Sequence, residues 1–247
     1  GQADLRGGGH HSGRLTAPLV AAGGICLQLL RRRGITIGAH IAAIGGINDQ
    51  SFDPAAITTT QLNALSAMTL PLLDTAKEPL MQSEVQRAAD RQDSIGGIIE
   101  CCALGYPAGI GEPIFGGLEN RLSTALFGIP GVKGVEFGDG FASAQMYGSE
   151  HNDAFTVDAN GQIHTVTNHH GGILGGISSG MPILFRVAFK PTPSIGLPQQ
   201  SVSLDDKHIQ TLQIKGRHDP CIALRAAPCV EAATAITLLD MLLGGQR

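Results

Sequence analysis

Four short stretches of the 247-residue chain carry side chains whose types and spacing could do chemistry. The first is Arg6-Gly7-Gly8-Gly9-His10-His11-Ser12-Gly13-Arg14, set immediately before an apolar run. Consecutive glycines let backbone amides approach an anion, and a helix N-terminus adds partial positive charge. Arg6 and Arg14 can fork onto carboxylate or phosphate, and His10 can transfer a proton near neutrality. The same residues also describe a solvated linker. The second stretch, Lys190-Pro191-Thr192-Pro193-Ser194, offers an ammonium and two hydroxyls in a proline-stiffened loop, which suits a phosphate group but is not a P-loop. The third, Gly216-Arg217-His218-Asp219-Pro220-Cys221, places a cation, an imidazole and a carboxylate in one turn, where a carboxylate beside an arginine can accept a proton. The fourth, Asn168-His169-His170 followed by Gly171-Gly172-Ile173-Leu174-Gly175-Gly176, lacks the dinucleotide fingerprint. Its adjacent histidines make a poor zinc site, so no metal is expected. Repeated glycine there suggests a strand edge against which a flat ligand can lie.

These stretches need elements to hold them. Pro18, the apolar run from Leu19 to Leu30, the arginines 31–33 and Gly34 predict a complete buried helix. Strands are predicted at 35–44, 95–104, 132–137, 141–146, 183–189, 201–204 and 209–214, and a loop with a short helix over 50–75. An amphipathic helix is expected over 76–91, and Leu118, Leu122, Ala125 and Leu126 share one helical face. Residues 148–168 read as polar loop. In the last helix, about Pro228 to Leu243, polar residues recur only at Glu231, Thr234, Thr237 and Asp240. That narrow stripe predicts burial on most of its circumference, with helices lying between strands.

Composition narrows the field. With 43% apolar and 15% charged residues the chain should fold, and a net charge of −4 argues against a nucleic-acid binder with a basic surface. The apolar runs are interrupted by Arg31, Glu231 and Asp240, so no membrane span is expected. Five cysteines, two adjacent and none in a CxxC, read as reduced thiols of a cytoplasmic protein, with Cys101 and Cys102 on opposite faces of a strand. Glycine, at 34 residues, is in excess without a collagen period and calls for another explanation.

Taken in order, RGGGHHSGRLTAPL (6–19), GYPAGIGEPIFGGLENRLS (105–123), GVKGVEFGDGF (131–141), NHHGGILGGISSGMPI (168–183), FKPTPSI (189–195) and GRHDPC (216–221) resemble the chorismate synthase family along nearly the whole chain. The resemblance implies an α+β fold, a β-α-β sandwich with helices packed between antiparallel sheets, assembled as a homotetramer. It implies 1,4-anti elimination of phosphate from 5-enolpyruvylshikimate 3-phosphate, needing reduced FMN without net redox change and leaving open NAD(P)H as the flavin's reductant. By the same resemblance His10 is an acid beside the flavin and Asp219 works with flavin N5 in removing the substrate proton. His10, His11, Ser12, Pro130, Gly131, Gly175, Lys190, Pro191, Thr192, Pro193, Ser194 and Arg217 match flavin-contacting positions, while Arg14 and Arg121 meet the anionic substrate. Family members also carry an N-terminal FGESHG-type histidine and an RRPG-type arginine cluster, patterns not found in these residues. The expectation is a single N-terminally truncated domain, 1–247, that folds, keeps weak flavin affinity and turns over poorly. A flavin-dependent oxidoreductase and a non-catalytic oligomeric flavin- or anion-binding core remain alternatives.

Overall fold

The computed structural model describes residues 9–214, 216 and 218–244, with the backbone alone for His10. In chain order the elements are α1 (Thr16–Arg31), β1 (Thr36–Ile44), β2 (Ile47–Asn48), α2 (Thr59–Ser66), α3 (Glu78–Asp90), β3 (Gly97–Leu104), α4 (Leu118–Phe127) and β4 (Val132–Phe137). They continue as α5 (Gly148–His151), β5 (Phe155–Val157), β6 (Ile163–Thr165), β7 (Ile173–Leu174), β8 (Ile177–Ser178), β9 (Ile183–Phe189), β10 (Gln199–Val202), β11 (Ile209–Leu212) and α6 (Ala227–Gly244). The class is α+β as expected, and all strand pairings among the described residues are antiparallel. A five-stranded sheet has the order β2-β1-β3-β9-β4, and β5–β6, β7–β8 and β10–β11 form two-stranded ribbons.

Strands β1 and β3 are buried on both faces, which is why they read as nearly unbroken apolar runs. Cys101 faces α6 and Cys102 faces the cluster of Leu62, Leu65 and Phe52 around α2, the opposite orientations that a two-residue period requires. All five cysteines are free thiols. Helix α6 lies between the sheet on one side and α1 and α4 on the other. Its stripe behaves as the sequence suggests: the buried Thr234 and Thr237 hydroxyls donate to the Val230 and Ala233 carbonyls at 2.7 and 2.9 Å, and only Asp240 is exposed. Gly23 of α1 sits so close to Ala232 of α6 that no Cβ fits between the helices. By length and composition the stretches Gly13–Arg31 and Ala227–Gly244 are both apolar enough to cross a membrane; 56% of the second window is buried inside the protein but only 11% of the first, leaving Ile25 exposed.

Three stretches depart from the sequence reading. Helix α1, expected to be buried, has only Gly23 and Leu30 buried, because it lies on the outer side of α6. Residues 141–146, expected as a strand, form a 3-10 turn, because the Phe141 N–H donates to Glu136 at 3.1 Å and Gly140, at φ +53°, turns the chain back. Residues 148–168 are not all loop but hold α5 and the β5–β6 hairpin.

The strand register gives the sheet two ends. One carries Ile44, Gly97, Phe189 and Val132, and the other carries Thr36, Leu104, Ile183 and Phe137. Helix α1 finishes at the Thr36 end, where the Ile35 N–H donates to Leu30 at 3.1 Å. Its 16 residues span about 24 Å, and it meets α6 near its middle, so its start is carried back toward the Gly97 end. The turn leading into α6 is also there, with Ala223 packed on Gly97.

Two buried ionisable clusters hold this frame. On the open edge of β1 the Ala39 N–H donates to Glu231 at 2.9 Å, while the Ile41 N–H donates to Pro71 at 2.9 Å. Burial raises the Glu231 carboxyl from 4.5 to about 7, against the pull of the Ala39 amide and Arg31. Stability from the neutral acid is therefore complete below pH 4.5 and lost as pH rises through about 7. Across the sheet, His40 lies between Asp49 at 3.0 Å and Glu100 at 2.8 Å. Burial opposes charge on His40, but the two carboxylates outweigh it and raise the imidazole above 6.5. Its contribution is complete below 6.5 and fades as pH passes the raised value. Glu231→Gln keeps an acceptor for Ala39 and is expected to exceed the parent in stability at pH 8, by up to about 3 kcal/mol, with the difference vanishing near pH 4.5 in urea unfolding. His40→Ala strands two buried carboxylates and should cost about 3–5 kcal/mol in the same measurement.

Candidate active site

At the Gly97 end, three loops that are distant in sequence converge. Gly131, at φ +95°, turns the chain between Pro130 and β4, and its carbonyl accepts the Lys190 N–H at 2.9 Å as Lys190 leaves β9. The Lys190 ammonium touches only the Pro191 carbonyl, at 3.3 Å, and forms no ion pair with a described residue. Beside it the Thr192 carbonyl accepts the Ser94 hydroxyl at 2.6 Å, while Thr192 Oγ1 is buried with no partner among the described residues. A buried hydroxyl left unpaired is costly, and a bound acceptor group would relieve it. Ser194 is half-buried on the same loop, and Pro191 and Pro193 are exposed.

Asp219 forms the third side. Its carboxylate takes Arg225 at 3.1 Å and the Cys221 N–H at 3.3 Å, and the neighbouring Pro220 carbonyl accepts the Ile95 N–H at 2.8 Å. The sequence suggested an adjacent arginine as partner; the cation observed is Arg225, one turn further on, and Arg217 lies outside the described residues. A cavity of about 530 Å³ adjoins this turn, lined by Gln92, Asp93, Gly196, Gln213 and His218 among others. By its length, α1 carries its start back toward the same end. Ser12 Oγ accepts the Arg14 N–H at 3.2 Å, and His11 and Arg14 are exposed. Arg6 and the His10 side chain lie outside the described residues.

Two expected site residues are elsewhere. Gly175, at φ +59° in the β7–β8 turn, lies beyond the Ile183 end of β9, about 20 Å from Lys190 at strand rise. Arg121 pairs with Asp240 at 2.7 Å on the exposed α4–α6 surface, also toward that end. The glycine run there serves packing more than ligand approach. A Cβ at Gly171, Gly172 or Gly176 would strike the backbone of Gly138, Pro182 or Glu112, and only Gly175 faces open space. His169 Nδ1 pairs with Asp139 at 2.7 Å, and Asp153 accepts Thr167 Oγ1 at 2.6 Å and the His169 N–H at 2.9 Å. His170 is held below its usual value by burial and by nearby His151, against the pull of Asp153. Among the described residues no three such groups could hold a metal ion.

With this geometry in place, comparison with known proteins is decisive. The family profile for chorismate synthase matches residues 1–243. The chain belongs to the chorismate synthase family. It is 49% identical over 246 residues to the chorismate synthase of Lancefieldella parvula, covering 96% of this chain and 64% of that protein. It is 47% identical over 240 residues to that of Dehalococcoides mccartyi, covering 97% of this chain and 65% of that protein. A solved chorismate synthase structure superposes with a TM-score of 0.78 at 28% identity, covering 95% of this chain and 64% of that one. The chain thus spans just under two thirds of the length of these relatives.

Chorismate synthases are phosphate lyases that use reduced flavin, and the residues at the Gly97 end fit such a group: among the described residues a Lys190 ammonium with no ion-pair partner, a Thr192 hydroxyl with no hydrogen-bond partner and a nearby carboxylate. Sequence reasoning missed Ser94 and Arg225, which hold the loops without resembling a motif. Gly131→Ala would force a left-handed residue and press Ile222, at an expected cost of about 1–2 kcal/mol, read as a lowered thermal midpoint.

Proposed function

We propose that this protein eliminates phosphate from 5-enolpyruvylshikimate 3-phosphate to give chorismate, as its family does. The observation that carries the reading is the meeting of the Lys190–Ser194 loop, the Pro130–Gly131 turn and Asp219 at one end of the sheet in a chain of this family. Reduced FMN, when bound, would lend electron density to the substrate as its carbon–oxygen bond to phosphate breaks, with no net oxidation. Lys190 and the Thr192 and Ser194 hydroxyls would hold its anionic group by charge-assisted hydrogen bonds. Gly131 keeps the loop beside them open, and His10, His11, Ser12 and Arg217 complete the flavin's surroundings. Asp219, oriented by Arg225, accepts the substrate proton. By the family resemblance His10 would supply an acid beside the flavin. Arg14 and Arg121 receive substrate anions, Arg121 after exchanging Asp240 for them. In this reading Gly175 and Arg121, at the far end, act in the site of a neighbouring copy within a homotetramer. The enzyme works in the cytoplasm without nucleic acid or membrane.

The test is anaerobic addition of reduced FMN and the enolpyruvyl substrate, following phosphate release and flavin absorbance together. Phosphate release with no net flavin oxidation supports the reading. Stoichiometric NAD(P)H consumption points instead to an oxidoreductase, and flavin binding with no phosphate release to a non-catalytic core. Asp219→Asn is expected to slow phosphate release by about 10²–10⁴-fold with flavin affinity nearly unchanged. Lys190→Ala should weaken flavin binding roughly ten- to a hundredfold.

A further inference from the structure

The Lys190–Ser194 loop and the Asp219 turn share no hydrogen bond among the described residues, yet both are tied to one short segment, Gln92-Asp93-Ser94-Ile95, between α3 and β3. Gln92 closes α3 in a Schellman motif: its own N–H donates to Ala89 at 2.9 Å and the Asp93 N–H to Ala88 at 2.9 Å. This sets Gln92 at φ +57°, a conformation usually left to glycine. The strained turn aims the next groups outward in two directions. The Gln92 carbonyl accepts the Gly196 N–H at 3.0 Å, and the Ser94 hydroxyl donates to Thr192 at 2.6 Å. From the following residue the Ile95 N–H donates to Pro220 at 2.8 Å, next to Asp219. Gly96 then lets the chain pass against Phe189 and Pro191, where a Cβ would meet the Phe189 carbonyl at 2.6 Å. The Ser94 N–H donates to the Asp93 carboxylate at 2.8 Å, while its hydroxyl donates to the Thr192 carbonyl.

We infer that Ser94 is a positioning residue for the flavin site: its hydroxyl sets the Lys190–Ser194 loop at a fixed distance from Asp219 and leaves Thr192 Oγ1 unpaired for the ligand. The inference rests on the flavin reading of that loop. Ser94 itself need touch neither flavin nor substrate; it acts through the Thr192 backbone.

The test is FMN titration by fluorescence quenching on the whole chain, alongside thermal unfolding. Ser94→Ala is expected to raise the FMN dissociation constant roughly three- to tenfold while moving the thermal midpoint by no more than about 4 °C. Ser94→Thr, which restores the hydroxyl, should bind within about twofold of the parent. Ser94→Cys, which keeps the size but not the donor strength, should behave as the alanine variant, and serves if that variant does not fold. Parental binding with Ser94→Ala and Ser94→Cys at the parent's affinity overturns the positioning role alone. Failure of the parent itself to bind FMN overturns the flavin reading and this inference with it. A lowered midpoint in all three variants with unchanged affinity marks Ser94 as merely structural and also overturns it.

Discussion

The burial of α6 between the five-stranded sheet and α1 is the constraint on which the rest depends. Val230, Ala233, Leu238 and Leu242 pack into the main core, each large side chain contributing about 1.5–3 kcal/mol of apolar burial. Because the helix is nearly surrounded, its few polar groups must be satisfied internally. Thr234 and Thr237 bond back to their own helix, and Glu231 takes the one sheet-edge amide within reach. That last contact locks the helix to β1 in a single register. The Asp219 turn enters α6 through the 3-10 turn Ile222–Arg225, so fixing the helix fixes the carboxylate at one end of the sheet.

The opposite face obeys a different rule. There the row His40, Glu100, Arg186, Glu136 runs across four strands in register. Charges inside a protein persist only when paired and hydrogen-bonded, and this row is supplied accordingly. Asp49 takes the Leu73 and Asp74 amides and Glu100 takes Phe52, while Glu136 pairs with Arg186 at 2.9 Å and receives Phe141. The row therefore pins loops on both sides of the sheet, including the Gly138–Gly140 turn that carries Asp139 to His169. The ladder shares its face with the apolar cluster of Phe52, Leu62, Leu65, Cys102 and Leu184, and the converging loops lie at a strand end.

Much of this was legible beforehand. The stripe Glu231, Thr234, Thr237, Asp240 announced a buried helix, and Cys101–Cys102 announced a strand with two covered faces. The loops 190–194 and 216–221 stood out because lysine, hydroxyls and a carboxylate cluster where proline and glycine forbid regular structure. What escaped was everything that depends on distance between loops. Ser94 and Arg225 belong to none of the motifs that the sequence offers. Residues 141–146 have strand-like composition, but one glycine and one glutamate override it with a turn.

The sequence by itself determined the family, the fold class and the burial of the last helix, though not the exposure of α1, because periodicity and ordered motifs are local properties of the chain. Only the tertiary structure decided that the Pro130–Gly131 turn, the Lys190–Ser194 loop and Asp219 share one end of the sheet while Gly175 and Arg121 lie at the other. It also reassigned most of the glycine excess at 171–176 from ligand contact to backbone packing. The physical reason is that strand register and helix length convert positions tens of residues apart into one place in space. No local pattern encodes that conversion before the sheet is formed.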